Sequence, residues 1–256
     1  MRAIFAVFKR ELALYFRSPV AYAIAFALLL FFGLLFSNAV NASLQGGQFG
    51  QQAPPADQLN FIVDGLLVFL LFLIAPLLTM RLLAEEAREG TLEVLMTLPM
   101  NESQFIIGKF LAAWAYYTVI LLLTVVYYFL LDLIGAPDAG RSFAVYLGAW
   151  LYGGAALAVT MIWSAITEDQ VVAAFLGAAT VLVLFLSDIA ANAIRSLGTM
   201  PAVVGDVIRE LGFNAHYQST MAQGLIRAED VLYFVLVIIG ALFITTRIVE
   251  VRRWRS

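Results

Sequence analysis

Six long apolar runs, separated by short polar segments, set the pattern of this chain. The first lies between Arg17 and Asp57, with its greasy part at about Val20 to Phe36. The second runs from Gly65 to Met80, between Asp64 and Arg81, and the third from Phe110 to Leu131, between Lys109 and Asp132. Ser142 to Thr167 makes the fourth, Gln170 to Ser187 the fifth and Val231 to Thr246 the sixth. Each holds 16 or more residues without a formal charge, enough for roughly 24 Å of helix. Flanking residues that snorkel to the interface supply the rest of a span of about 30 Å. Lipid cannot satisfy a backbone hydrogen bond, so the runs predict helices. The expected fold is therefore an all-α polytopic membrane protein, one domain over residues 1–256, with spans near 20–38, 61–82, 102–132, 142–167, 169–190 and 230–250.

The segments between the runs carry their own patterns. On a helix over residues 1–18, Ile4, Phe5, Phe8, Leu12 and Tyr15 share one face and Arg2, Lys9, Arg10 and Arg17 another. This predicts an amphipathic helix lying in the membrane interface, broken by Pro19. A cleaved signal peptide is the competing reading, disfavoured by the long basic region and by Glu11. The stretch from Asn38 to Asn60, rich in Gln, Gly and Pro, is too short and polar for a folded domain. Pro76 predicts a kink in the second span.

The loop after the second span reads Arg81-Leu-Leu-Ala-Glu-Glu-Ala-Arg-Glu-Gly-Thr-Leu-Glu-Val-Leu-Met-Thr-Leu-Pro-Met100. Gly90 is placed to break the helix leaving the span, Thr91 to cap a new short helix and Pro99 to end it. Asn101 and Gln104 have the spacing of a capping box opening the third span. Leu92, Leu95 and Met96 share one side of the short helix, which presents apolar surface at the membrane edge. Two readings fit that surface: a helix resting on lipid headgroups, or a contact for another protein. The turn Thr167-Glu-Asp-Gln170 again has capping-box spacing and mainly reverses the chain. Between Asn192 and Glu229, Val203, Val204, Val207, Ile208 and Leu211 recur at helical spacing opposite Asp206, Arg209 and Glu210, with Gly212 as the stop. A second short pattern runs from His216 to Ile226. Pieces this short suit interfacial or re-entrant helices.

Composition agrees with a membrane chain: 62% of the 256 residues are hydrophobic and 13% charged. A net charge of −3 gives no footing for nucleic acid, and the absence of cysteine removes disulfides and thiolate metal sites. Charge also orients the chain. With both termini inside, the inner segments hold Arg2, Lys9, Arg10, Arg17, Arg81, Arg88, Lys109, Arg247, Arg252, Arg253 and Arg255, against Arg141, Arg195, Arg209 and Arg227 outside.

Candidate chemistry is sparse. His216 is the single histidine, so one chain offers no two-histidine metal site. Asp64, Asp132 and Asp188 fall near outer span ends rather than at helix centres, which gives proton coupling no support. Around Gly108-Lys109, Ser103 and Phe110 stand where a phosphate-binding loop needs Gly and Ser or Thr, so any ATP must be bound by another chain.

The run from Glu85 to Pro99, with Gly108-Lys-Phe-Leu-Ala, resembles the permease subunits of type-2 ABC exporters. The likeness extends over the basic start ending at Arg17-Ser-Pro19, the six spans and the long segment before the last. Asn214-Ala-His-Tyr-Gln218 leading into Asp230-Val-Leu-Tyr-Phe234 is similar to gliding-motility-type permeases. The resemblance implies an elbow helix at 1–18, a coupling helix at 84–99 and short outer helices at 192–228. Its ATPase-coupling residues are then Glu85, Glu86, Glu89, Gly90, Thr91, Leu92, Glu93, Leu95, Met96, Thr97 and Pro99, with Glu168 and Asp169 as a second contact. It also implies that a partner ABC ATPase binds ATP and Mg, this chain holding no cofactor of its own. A second permease chain, identical or a relative with an extracellular domain, completes the transporter in a bacterial cytoplasmic membrane. A secondary transporter or channel and a structural subunit of a larger complex are the alternatives, separated from this reading by co-purification of an ATPase.

Overall fold

The computed structural model describes residues 2–46, 67–90, 101–133, 137–197 and 201–253. Their elements are α1 (Arg2–Tyr15), α2 (Pro19–Gly46), α3 (Val68–Arg88), α4 (Glu102–Asp132), α5 (Ala139–Ile166), α6 (Gln170–Leu197), α7 (Ala202–Leu211), α8 (Phe213–Tyr217), a 3₁₀ turn (Met221–Gln223) and α9 (Ala228–Arg253). No strand occurs among the described residues, and α2, α3, α4, α5, α6 and α9 are long and apolar enough to cross a membrane. The protein is a multi-pass membrane protein.

Helix α5 is the centre of the bundle. Some 78% of its apolar stretch is buried, against 17% in α2. Small residues allow this, because a Cβ at Gly153 would stand 2.2 Å from the Tyr117 ring and one at Gly154 2.7 Å from Trp114. Helices thus approach closely without a hydrophobic driving force between them, as packing in lipid requires. Hydroxyls add hydrogen bonds inside: Thr79 donates to the Thr160 hydroxyl at 2.9 Å, and Tyr117 to the Ala149 carbonyl at 2.9 Å. Outlying α2 is held by hydroxyls of α4, Tyr116 donating to the Ala21 carbonyl at 2.7 Å and Tyr127 to that of Leu29 at 2.8 Å.

One end of the bundle carries α1, the last turns of α3, the start of α4 and the last turns of α5 and α9. We call it the terminal end. There Arg252 donates to the Ile166 carbonyl at 2.5 Å. Pro19 occupies the first position of α2, where its missing N–H costs no helical bond.

Several local expectations need correction. The apolar stretch of the first span covers Pro19–Asn38, and its helix runs on to Gly46; Asp64 and the start of the second span lie outside the described residues. Asn101 makes no side-chain cap, and the Gln104 N–H bonds its backbone carbonyl at 3.0 Å instead. At the α5–α6 turn the cap is Asp169, whose Oδ1 accepts from the amides of Val171 at 2.7 Å and Val172 at 3.2 Å. An ionised carboxylate is a stronger acceptor there than the Thr167 hydroxyl, and the helix dipole favours it. Along α1 the stripe against the protein is Ile4, Val7, Phe8, Glu11, Leu12 and Tyr15, so a carboxylate lies within it while Phe5 is exposed.

The segment after α6 folds back along it. Helix α7 meets it through its charged side, Asp206 pairing with Arg195 and Arg209 with Asp188 at 3.4 Å. Val203, Val207 and Leu211 face away from the protein. His216, expected as a polar residue on the outer side, is partly buried; its Nδ1 lies 2.9 Å from Asp230 and its ring stacks on Tyr233 at 3.8 Å.

Candidate functional site

The described residues concentrate buried charge at the terminal end, where α1, α3 and α4 meet. Glu11 reaches inward from α1, Glu86 comes from the last turn of α3 and Lys109 from the second turn of α4. The Lys109 Nζ is 3.1 Å from Glu11 Oε1 and 2.9 Å from Glu86 Oε1. Arg10 clamps the same two carboxylates from the outside, at 2.8 Å and 3.0 Å. With a side chain only 2% exposed, Lys109 has its ammonium desolvated and compensated by both carboxylates. Two acids and two bases make the cluster neutral as a set.

Local sequence explains the convergence. Gly108 lets α1 cross α4 closely, since a Cβ there would lie 2.8 Å from the Val7 Cβ and 3.0 Å from the Ile4 carbonyl. Lys109, the next residue, is thereby set against the Glu11 turn of α1, and it lies 5.0 Å from the Phe105 ring. Burial works against the charged form of Arg10, but the carboxylates of Glu11 and Glu86 outweigh it and hold the guanidinium above its ordinary pKa. Burial, reinforced by the negative charge of Glu11, pushes the Tyr15 hydroxyl up. It stays a donor, to the Leu78 carbonyl at 2.5 Å.

Hydroxyls lock the last turns of α3 onto α5. The Ser164 Oγ accepts from the amides of Leu83 and Ala84, each at 3.1 Å, and donates to the Met80 carbonyl at 3.1 Å. Beyond this clasp Arg81 pairs with Glu85 at 3.3 Å. The helix then stops at Glu89, and Gly90 takes the left-handed conformation at φ 68° that glycine adopts without strain.

Of the residues expected at a contact surface, Glu85 and Glu86 lie on the last turns of α3, continuous with the second span, while Glu89 and Gly90 are exposed at its tip. Thr91, Leu92, Glu93, Leu95, Met96, Thr97 and Pro99 lie outside the described residues. Glu168 and Asp169 are exposed at the α5–α6 turn, where Asp169 is occupied as the cap. Sequence reasoning missed the roles of Arg10, Glu11 and Lys109 in this cluster, reading the two cations as interfacial charges that orient the chain. The signal was present in Glu11, a carboxylate on the apolar stripe of an amphipathic helix, because a buried polar residue is the informative one.

The cluster joins α1 to both flanks of the segment 91–100, which makes it a mechanical tie. Residues 2–204 match the ABC-2 type transporter family, covering α1 to α6 and the first turn of α7. The chain belongs to that family. As the membrane domain of an ABC-2 transporter it is the permease component, and the family implies an ABC ATPase as partner. The tie and all four of its residues fall inside the matched region. No curated protein matches the chain.

Proposed function

We propose that this permease belongs to an ATP-driven exporter and receives force from its ATPase through the segment that begins at the tip of α3. The reading sets the terminal end in the cytoplasm, with both termini there, in a bacterial cytoplasmic membrane. Within residues 84–99, the exposed tip of α3 and the segment after it then dock on the ATPase, with Glu89 and Gly90 at the rim and Leu92, Leu95 and Met96 as anchors. Glu168 and Asp169 form a second, smaller contact. The partner binds ATP and Mg, and a second permease chain, identical or a relative with an extracellular domain, completes the pathway. The similarity of 214–218 and 230–234 to gliding-motility-type permeases suggests that subtype.

The observation that carries this reading is the Glu11–Lys109–Glu86 cluster. A segment that only rested on lipid would need no buried ionic tie at its two flanks. Force applied to 91–100 instead reaches α3, α4 and α1 together, and through the Ser164 clasp it reaches α5. The test is nucleotide binding by the purified full chain alone and by its complex with the co-purifying ATPase. The chain alone should bind no ATP, while its presence should change the turnover of the ATPase. Nucleotide affinity in the isolated chain, or an ATPase indifferent to it, would sink the proposal.

A further inference from the structure

At the end of the bundle away from the terminal end, His216 stands between α7 and α9. Its Nδ1 lies 2.9 Å from Asp230 Oδ1, in the first turn of α9, and its Nε2 lies 3.1 Å from the Glu210 carbonyl of α7. An ionised carboxylate and a carbonyl are both acceptors, whereas a neutral imidazole has a single N–H. The two contacts therefore need two protons, one shared between Nδ1 and Oδ1 and one on Nε2. With one proton, one contact fails. The Asp230 side chain is 4% exposed, its Oδ2 makes no hydrogen bond, and its Oδ1 meets His216. An ionised Asp230 beside a neutral ring is thus a buried charge without compensation. The Tyr233 ring stacks on the imidazole at 3.8 Å and holds it in register for both contacts.

The other charges on the elements around α8 are engaged elsewhere or are acceptors themselves. On α7 the Glu210 carboxylate stands 3.7 Å from Nε2, a third acceptor, and Arg209 pairs with Asp188 of α6. Arg195 of α6 pairs with Asp206 of α7, and Glu229 of α9 with Arg227. From α5, Arg141 donates to the Ala222 carbonyl, and Tyr152 packs on Phe213 and Tyr217.

We propose that His216 is a proton-operated latch, closed when the His216–Asp230 pair holds both protons and opened when it gives one up. Closed, it ties α7 and α8 to the start of α9. Open, the same segment keeps the Tyr233 hydroxyl, which donates to the Leu211 carbonyl at 2.7 Å, and the packing of Phe213 on Phe234. The His216 side chain is 13% exposed, so the proton exchanges with water. Histidine is the side-chain type that changes charge between about pH 5 and 8, and this chain has one. The latch works on whichever side of the membrane this end faces and does not depend on the coupling scheme above.

Amide hydrogen exchange of the full chain in detergent, compared at about pH 5.5 and about pH 8.5, reads the opening of residues 202–220. Rates are corrected for the intrinsic pH dependence of exchange, and peptides from α5 serve as the internal reference. Loss of one charge-assisted hydrogen bond predicts protection in 202–220 at least about tenfold lower at the higher pH, with α5 unchanged. His216→Phe should be open at both pH values. Asp230→Asn should be closed at both: its amide donates to Nδ1 of the neutral ring, leaving the ring proton for the Glu210 carbonyl, and when flipped accepts from the protonated ring. Equal protection of the wild type at both pH values, or a fall that persists in either variant, would overturn the proposal. So would a fall shared by α5, which marks general loosening. The wild-type comparison decides alone should a variant fail to fold.

Discussion

Replacing Lys109 by methionine tests whether the ionic cluster holds the terminal end together. The substitution preserves most of the side-chain volume and deletes the charge. It leaves Glu11 and Glu86, whose side chains are 7% and 12% exposed, facing each other with Arg10 as their remaining cation in the cluster. Removing one partner of a buried ion pair costs about 3–5 kcal/mol, because the other partner stays desolvated and uncompensated. Arg10 still reaches both carboxylates but is 51% exposed, so the expected loss sits near the lower end, about 3 kcal/mol. At about 2–4 °C per kcal/mol for a chain of this size, Tm should fall by roughly 6–12 °C. Thermal unfolding of purified protein in one detergent, followed by static light scattering and tryptophan fluorescence, measures it. Adding Glu11→Gln and Glu86→Gln to Lys109→Met should recover most of the loss, since no buried charge then lacks a partner. A single variant melting within about 1 °C of wild type, or a triple variant no better than the single, would refute the reasoning.

Gly108→Val should push α1 off α4 at a cost of about 1–3 kcal/mol, because its first added carbon already meets Val7 at 2.8 Å; the same melting assay reads it. With no native cysteine, Thr199→Cys should react with an impermeant thiol reagent on intact cells, while Arg88→Cys should react only after permeabilisation. The opposite pattern would invert the proposed orientation. Leu95→Glu should insert normally yet weaken ATPase binding at least about tenfold, since an apolar anchor worth about 1.5–3 kcal/mol is replaced by a charge. Pull-down titration measures this, and full binding by the variant would leave the segment lying on lipid.

The split between what was legible in the chain and what was not follows one physical division. Spans, breakers and the amphipathic nature of α1 and α7 depend on local pattern, so apolar run length, Pro19 and Gly90 were readable from the residues alone. Which face of an amphipathic helix meets the protein depends on what lies on its other side. Asp206 and Arg209 of α7 are met by Arg195 and Asp188 of α6 while its valines are exposed, an outcome that α7's own periodicity cannot express. The cap at Asp169 was missed for a smaller reason: two acceptors stood within reach, and geometry chose between them. The ionic cluster is the clearest case. Glu11, Glu86 and Lys109 are 75 and 23 residues apart along the chain, and each reads locally as an ordinary interfacial charge. The sequence by itself determined six helical spans and the break at the tip of α3. Only the tertiary structure decided that those three side chains share one buried site, because pairing of distant charges depends on the approach of α1 to α4 that Gly108 permits.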